Sequence, residues 1–450
     1  MSEQPDEPTP AELEELMRRL ASGQLSPDDI AKIQAEISST LGAQLPPEMI
    51  QQAMEQMRTV MGGPDEGPVR WSMAADAARQ VATTPTEDEP GDPTIDAAQQ
   101  RAGLDALRTA SMWLDGATEI TATTTDERVW SRLEWVDATL PTWRPLCQPV
   151  AEQVSTALTG AMAGQLPEQF AAMATQASAM MRKMGAAMFG AQVGRAVGGL
   201  GREVVSAHDI GLPLAPAGTM ALLPANIDAF AEGLEIPIEE VRLYLALRES
   251  AYVRLFAHAG WLRAHVLALV EEFARGITID TDTMTEAVQS LDPTNPESLR
   301  EALASGMFEP QRTPAQQAAL SRLETTLALI EGWVDEVTTA AATGKLPDAA
   351  KLREAVRRRR AVGGPAEHTL ATLVGLELRP RRLREAAALW AALAERHGSS
   401  ARDEIWDHPD LMPTNDDLDD PLGYVERYGV TDPAEDELDA ELRRLLDGEA

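Results

Sequence analysis

Apolar residues along this chain recur mostly at three- and four-residue spacing, the period of one face of an α-helix. The pattern predicts helices over 94–118 and 148–185, through the glycine-rich run FGAQVGRAVGGLGREVV, and over IEEVRLYLALRESAYVRLFAHAG and WLRAHVLALVEEFARGI. Further helices are predicted at 282–291, 297–306, 314–342, 347–362 and 380–396. Pro237 suits the first turn of the helix that follows it, with Glu239 and Glu240 near the positive end of its dipole and Gly260 near its end. Strand-like runs are few, and GTMALLPANIDAF is the best of them. Gly190, Gly194 and Gly198 are spaced by four, a smooth stripe that lets another helix approach closely; Arg195 and Arg202 place that packing in a soluble core, not a bilayer. Six methionines between Met162 and Met188 read as flexible core packing, since no Cys or His joins them as a ligand.

The first 95 residues differ from the rest. TPAELEELMRRL and SPDDIAKIQAEI each open on a Thr/Ser-Pro capping signature, a third helix is predicted at 46–61, and two stretches rich in Pro, Gly and acid follow. This is an acidic N-terminal region, helical or partly disordered, with its linker. A mostly α domain with little β structure spans 96–430, and 431–450 is an acidic tail.

Composition narrows the function classes. The net charge of −33 repels nucleic acid and anionic lipid, so neither is an expected partner. No run of 18 apolar residues is present, and the acidic N-terminus is not read as a signal peptide. The single cysteine, Cys147 in RPLCQP, has no nearby histidine and reads as structural, in keeping with a reducing cytoplasm. No nucleophile elbow, phosphate-binding loop or dinucleotide fingerprint occurs.

One helix does bear on chemistry. Arg248-Glu249-Ser250-Ala251-Tyr252 has the frame of H-E-x-x-H, in which histidines at i and i+4 share a helical face and hold zinc while the glutamate serves the metal-bound water as general base. Arginine offers no lone pair, and tyrosine can ligate only as a phenolate. Arg248 and Tyr252 are therefore degenerate ligand positions. A third ligand by spacing is His258, six residues beyond Tyr252 but with Leu255 where a glycine bend belongs, or Glu272, twenty residues beyond on the next helix.

DIGLPL, LLPANI, RESAYVRLFAHAGWL, LVEEFARGI, LIEGWVDEV and WDHPDLMPTNDDLDDP, in this order, resemble the zincin-like metallopeptidase family of actinobacteria over roughly residues 95–430. The resemblance implies a helical, zincin-like fold. It is to the branch labelled hydrolase or zinc-dependent metalloprotease; in the other branch H-E-x-x-H is intact. Of that motif only Glu249 carries over.

Glu331, in EGWVDEV, is a cleft candidate that would pair with Arg248 or Arg254 in place of a metal. The acids of ARDEIWDHPDLMPTNDDLDDP, from Asp407 to Asp420 with His408, read either as a divalent-cation site or as an acidic strap over the helical core; lacking calcium-loop spacing, the strap is favoured. The basic run at 357–360 suits a solvated helix C-terminus. Two functions follow. The favoured one is a non-catalytic zincin-fold protein, without metal or other cofactor, whose former active cleft binds a peptide or protein partner. The other is a zinc-dependent hydrolase using Glu249 with atypical ligands such as His258 or Glu272.

Overall fold

The computed structural model describes residues 67–87, 90–123, 125–163, 171–276, 313–361 and 382–429, with isolated helical positions at 369, 371 and 373. The predicted helices at 9–20, 26–37, 46–61, 282–291 and 297–306, and the tail from 431, lie outside the described residues. The chain divides into two compact units. The smaller takes Met1–Ala74, Ala151–Gln192 and Ile279–Met307, and the larger takes Ala75–Val150, Val193–Thr278 and Phe308–Ala450.

The elements run α1 (Trp71–Thr83), α2 (Ala97–Leu114), β1 (Asp126–Val129), α3 (Arg132–Ala163), α4 (Ala171–Gly201), β2 (Thr219–Leu222), α5 (Pro224–Ala231), α6 (Ile238–His258), α7 (Leu262–Arg275), α8 (Pro314–Ala342), α9 (Ala349–Ala361), α10 (Leu383–Glu404), α11 (Asn415–Asp419) and α12 (Pro421–Arg427). The mostly α expectation holds. Among the described residues the only sheet is one parallel pair, β1 with β2, registered from Asp126 against Thr219 to Val129 against Leu222. GTMALLPANIDAF is strand only over its first part. Pro224 has no N–H for a ladder but fits a helical first turn, so the rest becomes α5. No helix among the described residues is long and apolar enough to cross a membrane.

In the smaller unit the Arg70 N–H donates to the Ala186 carbonyl at 2.9 Å, and a side-chain carbon at Gly190 would stand 2.4 Å from the Arg70 carbonyl oxygen. Met184 and Met188 are exposed, against the core-packing expectation; they lie four apart on an outward face of α4. The side chains of Met162, Met173, Met180 and Met181 lie outside the described residues.

The larger unit is built around α6. Every residue from Tyr244 to Leu255 is buried, so this stretch of the helix has no solvated face. α2, α8 and β2 pack against it. Capping boxes start two of the long helices: Asp96 accepts from the Ala98 and Gln99 N–H groups at 2.7 and 2.8 Å, and Thr313 accepts from Gln316 at 3.2 Å. Cys147 is buried without a partner that would stabilise a thiolate, and burial pushes its thiol up to about 12. The glycine stripe serves close packing here too. A Cβ at Gly198 would meet the Ala78 carbonyl oxygen at 2.5 Å and the Val81 Cβ at 2.8 Å. Gly198→Ala is therefore expected to lower unfolding free energy by about 1–3 kcal/mol in chemical denaturation, because backbone rather than a flexible side chain has to give way.

Candidate functional site

A stretch of helix buried on every side must find partners inside the protein for each polar group it carries. Glu249 and Arg248, adjacent on α6, do so in two different networks.

Glu249 is 0% exposed. Its Oε2 accepts the His208 backbone N–H at 3.0 Å, and its Oε1 accepts the Ala221 backbone N–H at 3.2 Å. The His208 ring Nδ1 lies 3.0 Å from the same Oε1, a contact that requires the proton on Nδ1 when the carboxylate is ionised. The His208 ring stacks on Tyr252, with centroids 6.3 Å apart, and contacts Phe256 at 5.9 Å. Residues 249, 252 and 256 fall on one side of the helix, and His208, from the segment that follows α4, packs against this face. β2 supplies the Ala221 donor, which is how the small sheet bears on the site.

Arg248 turns to α8. Its Nη2 donates to Glu331 Oε2 at 2.8 Å and approaches the Tyr252 hydroxyl at 3.4 Å. The expected Glu331 pairing is thus made by Arg248. Arg254 instead donates to the Ser111 carbonyl, Asp115 and the Ile120 carbonyl at 2.5, 2.7 and 3.2 Å. Glu331 also meets a second cation: Arg360 Nη2 lies 2.7 Å from its Oε1, an ion pair without hydrogen-bond alignment. Arg360 donates to the Tyr252 hydroxyl at 3.2 Å and to the Asp209 carbonyl. One turn along α8, Asp335 accepts from Arg353 at 2.5 Å and from Arg357 at 2.6 Å. Asp209 accepts from Arg359 at 2.8 Å.

The solvated reading of the basic run is therefore corrected. Only Arg358 points outward, paired with Glu354. Arg357, Arg359 and Arg360 fold back onto three buried carboxylates, because an acid under a helix gains more from a guanidinium than water gives the arginine. Burial opposes the Arg248 charge, yet the adjacent Glu331 carboxylate outweighs it and holds its pKa above the ordinary value. Arg360 goes the other way: burial, aided by the like charge of Arg248, holds it below.

His258 and Glu272 are not part of this cluster. His258 Nε2 lies 2.8 Å from Asp407, and Glu272 accepts from Arg322 at 2.6 Å at the surface. The acidic stretch acts as the favoured strap. Asp417 caps α11 with Thr414 and accepts from Arg427 at 3.0 Å, Asp420 caps α12, and Asp419 pairs with Arg382. Among the described residues no group of three or more His, Cys, Asp or Glu side chains could hold a metal ion. The zinc that a zincin family implies does not fit the residues present: a guanidinium and a phenol stand at the two helix positions, and Glu249 faces three N–H donors.

His208 and Asp209 escaped the sequence reading. They sit in HDIGLPL, and the signal available was a histidine and an acid just before a glycine. Gly211 has φ +76°, and a side chain there would press on Glu331 Oε1 at 3.1 Å.

The fold and site together define a mostly helical protein whose central helix carries a buried glutamate beside a network of ion pairs. A family model described as zincin-like metallopeptidase matches residues 69–425, and the chain belongs to that family. The solved structure described as "a putative hydrolase with a novel fold from Chloroflexus aurantiacus" aligns with a TM-score of 0.55 at 18% identity, covering 81% of this chain and 100% of that one. That likeness is one of fold. Comparison with the curated proteins gave no match.

Proposed function

We propose that this chain is a non-catalytic member of the zincin-like metallopeptidase family, its former active cleft serving to bind a peptide or protein partner. The observation that carries this reading is the state of Glu249. A general base must reach a water or substrate proton, and this carboxylate is fully buried with both oxygens held by N–H donors. Its role is to tie β2 and the His208 turn to α6. The zinc-hydrolase reading would have to recruit His258 or Glu272, whose side chains are engaged by Asp407 and Arg322.

Metal analysis of the purified chain by mass spectrometry, with peptide hydrolysis assayed in parallel, separates the two. No bound zinc, no hydrolysis and a thermal midpoint indifferent to chelator are expected. Stoichiometric zinc that disappears in His258→Ala or Glu272→Ala would overturn the reading. Glu249→Gln is expected to destabilise by about 1.5–3 kcal/mol, since the amide replaces a charged acceptor and turns its NH₂ toward N–H donors. Equilibrium denaturation measures this.

A further inference from the structure

Two methionines of α4 face outward with no described element against them. Met188 is 68% exposed and Met184 46%. An unbranched apolar side chain gains by leaving water, and methionine adapts to irregular contacts well. Gly185 stands beside them. A side-chain carbon there would meet no described atom within 4 Å, whereas one at Gly190 would stand 2.4 Å from the Arg70 carbonyl oxygen. Glycine weakens a helix, so its use is explained where another backbone comes close. Gly190 has such a neighbour in the segment before α1. Gly185 has one only if a further element lies on the methionine face.

The chain offers a matching element nearby. Its pattern predicts a helix at 46–61, with Ile50, Ala53, Met54, Met57, Val60 and Met61 at three- and four-residue spacing. Between Ile50 and Met61 the other positions are Gln, Glu, Arg and Thr, a polar opposite face. Met1–Ala74 and Ala151–Gln192 belong to one compact unit. The Arg70 N–H donates to the Ala186 carbonyl at 2.9 Å. Ala186 is two residues from each exposed methionine and so about half a turn away around α4. Residues 62–69 join this contact to Met61. Extended, that linker reaches about 27 Å, against about 16–19 Å for half the circumference of a helix.

We propose that residues 46–61 dock in cis on the outward face of α4, their methionines against Met184 and Met188 and their backbone close to Gly185. The docked segment completes the smaller unit, and it does so whether or not Glu249 is catalytic.

Cysteines introduced into the full chain test this, since the native Cys147 is fully buried and stays silent. Met112 on α2 is 64% exposed and supplies the rate of an uncovered position. With each rate normalised to that in denaturant, Met188→Cys should react with a maleimide about tenfold more slowly than Met112→Cys, the protection of a site that is open about a tenth of the time. Adding Met57→Asp, which puts a charge in the apolar stripe, should bring the two rates together. Adding Thr59→Asp, on the polar side, should not. Under mild oxidation, Met57→Cys with Met188→Cys should form an intrachain disulfide, located by peptide mass spectrometry, and Thr59→Cys with Met188→Cys should not.

Equal rates at positions 188 and 112 would leave the face bare and overturn the proposal. Protection at 188 that Met57→Asp leaves intact would overturn it too, by assigning the face to another element. A disulfide that joins two chains and grows with protein concentration would assign the face to a second copy, against docking in cis.

Discussion

Replacing Glu331 with glutamine is expected to cost about 3–5 kcal/mol of unfolding free energy, the range for breaking a buried ion pair from one side. The reason is that one carboxylate neutralises two guanidiniums, Arg248 and Arg360, and its loss leaves both buried beside each other. The third participant changes what a rescue must look like. A charge-reversed exchange, Arg248→Glu with Glu331→Arg, would be restorative if the pair were isolated. Here it sets the new arginine against Arg360, so it should remain unstable. The combination that should recover most of the loss removes all three charges together: Arg248→Met, Glu331→Leu and Arg360→Met, side chains of comparable bulk without buried charge. Urea denaturation of the single, reversed and triple variants measures the coupling. If the reversed double regains wild-type stability, Arg360 has no energetic share in the network.

Asp335 carries the second large effect, and it depends on pH. Burial works against its charge, but the hydrogen bond and charge of Arg353, with Arg248 and Arg357, outweigh burial and hold the carboxyl below its ordinary value. Asp209 is held low in the same way, burial being overcome by Arg359 and Arg360 and by the Val205 N–H. A folded-state value below the unfolded one means stability that is fully present above the unfolded pKa, near ~4, and is lost as pH falls through the depressed folded value. The thermal midpoint should therefore be nearly level from about pH 7 to 5 and drop steeply below about pH 4. Glu336, held above its ordinary value by burial, gains stability as pH falls and only rounds the shoulder of that curve. Asp335→Asn should cost about 3 kcal/mol at neutral pH and progressively less as pH falls below ~4, because the wild-type carboxylate's contribution is lost as it takes up a proton. Calorimetry across this range in both proteins tests it; a difference that does not shrink with acid would mean that Asp335 acts through shape and not charge.

Most of the helices were legible in the order of residues. The spacing of apolar positions placed α2, α6, α7, α8 and α9 within a few residues, and Pro237 marked the start of α6. β1 carried no readable sign, because four residues as polar as DERV become strand only when β2 is there to pair with them. α10 runs on to Glu404 where 396 was expected; Gly398, at φ +92°, breaks the helical geometry inside it without ending the run. That positions 248 and 252 share one face was legible for the same local reason, since one helix turn separates them, and the identities there decide what they can ligate.

What tertiary structure alone decided is which buried charge meets which. His208 reaches Glu249 across 41 positions of sequence, Arg248 reaches Glu331 across 83, and Arg359 reaches Asp209 across 150. In the sequence those arginines resemble a solvated helix end, since a charge run has the same local pattern whether it faces water or acid. Residue identity by itself determined that Arg248 and Tyr252 do not form an ordinary histidine zinc site, because donor capacity belongs to the side chain. That Arg248 and Tyr252 join a network of guanidiniums and carboxylates was decided by packing. A charge has no period along the chain, and its partner is chosen by whichever distant segment the core brings within hydrogen-bond reach.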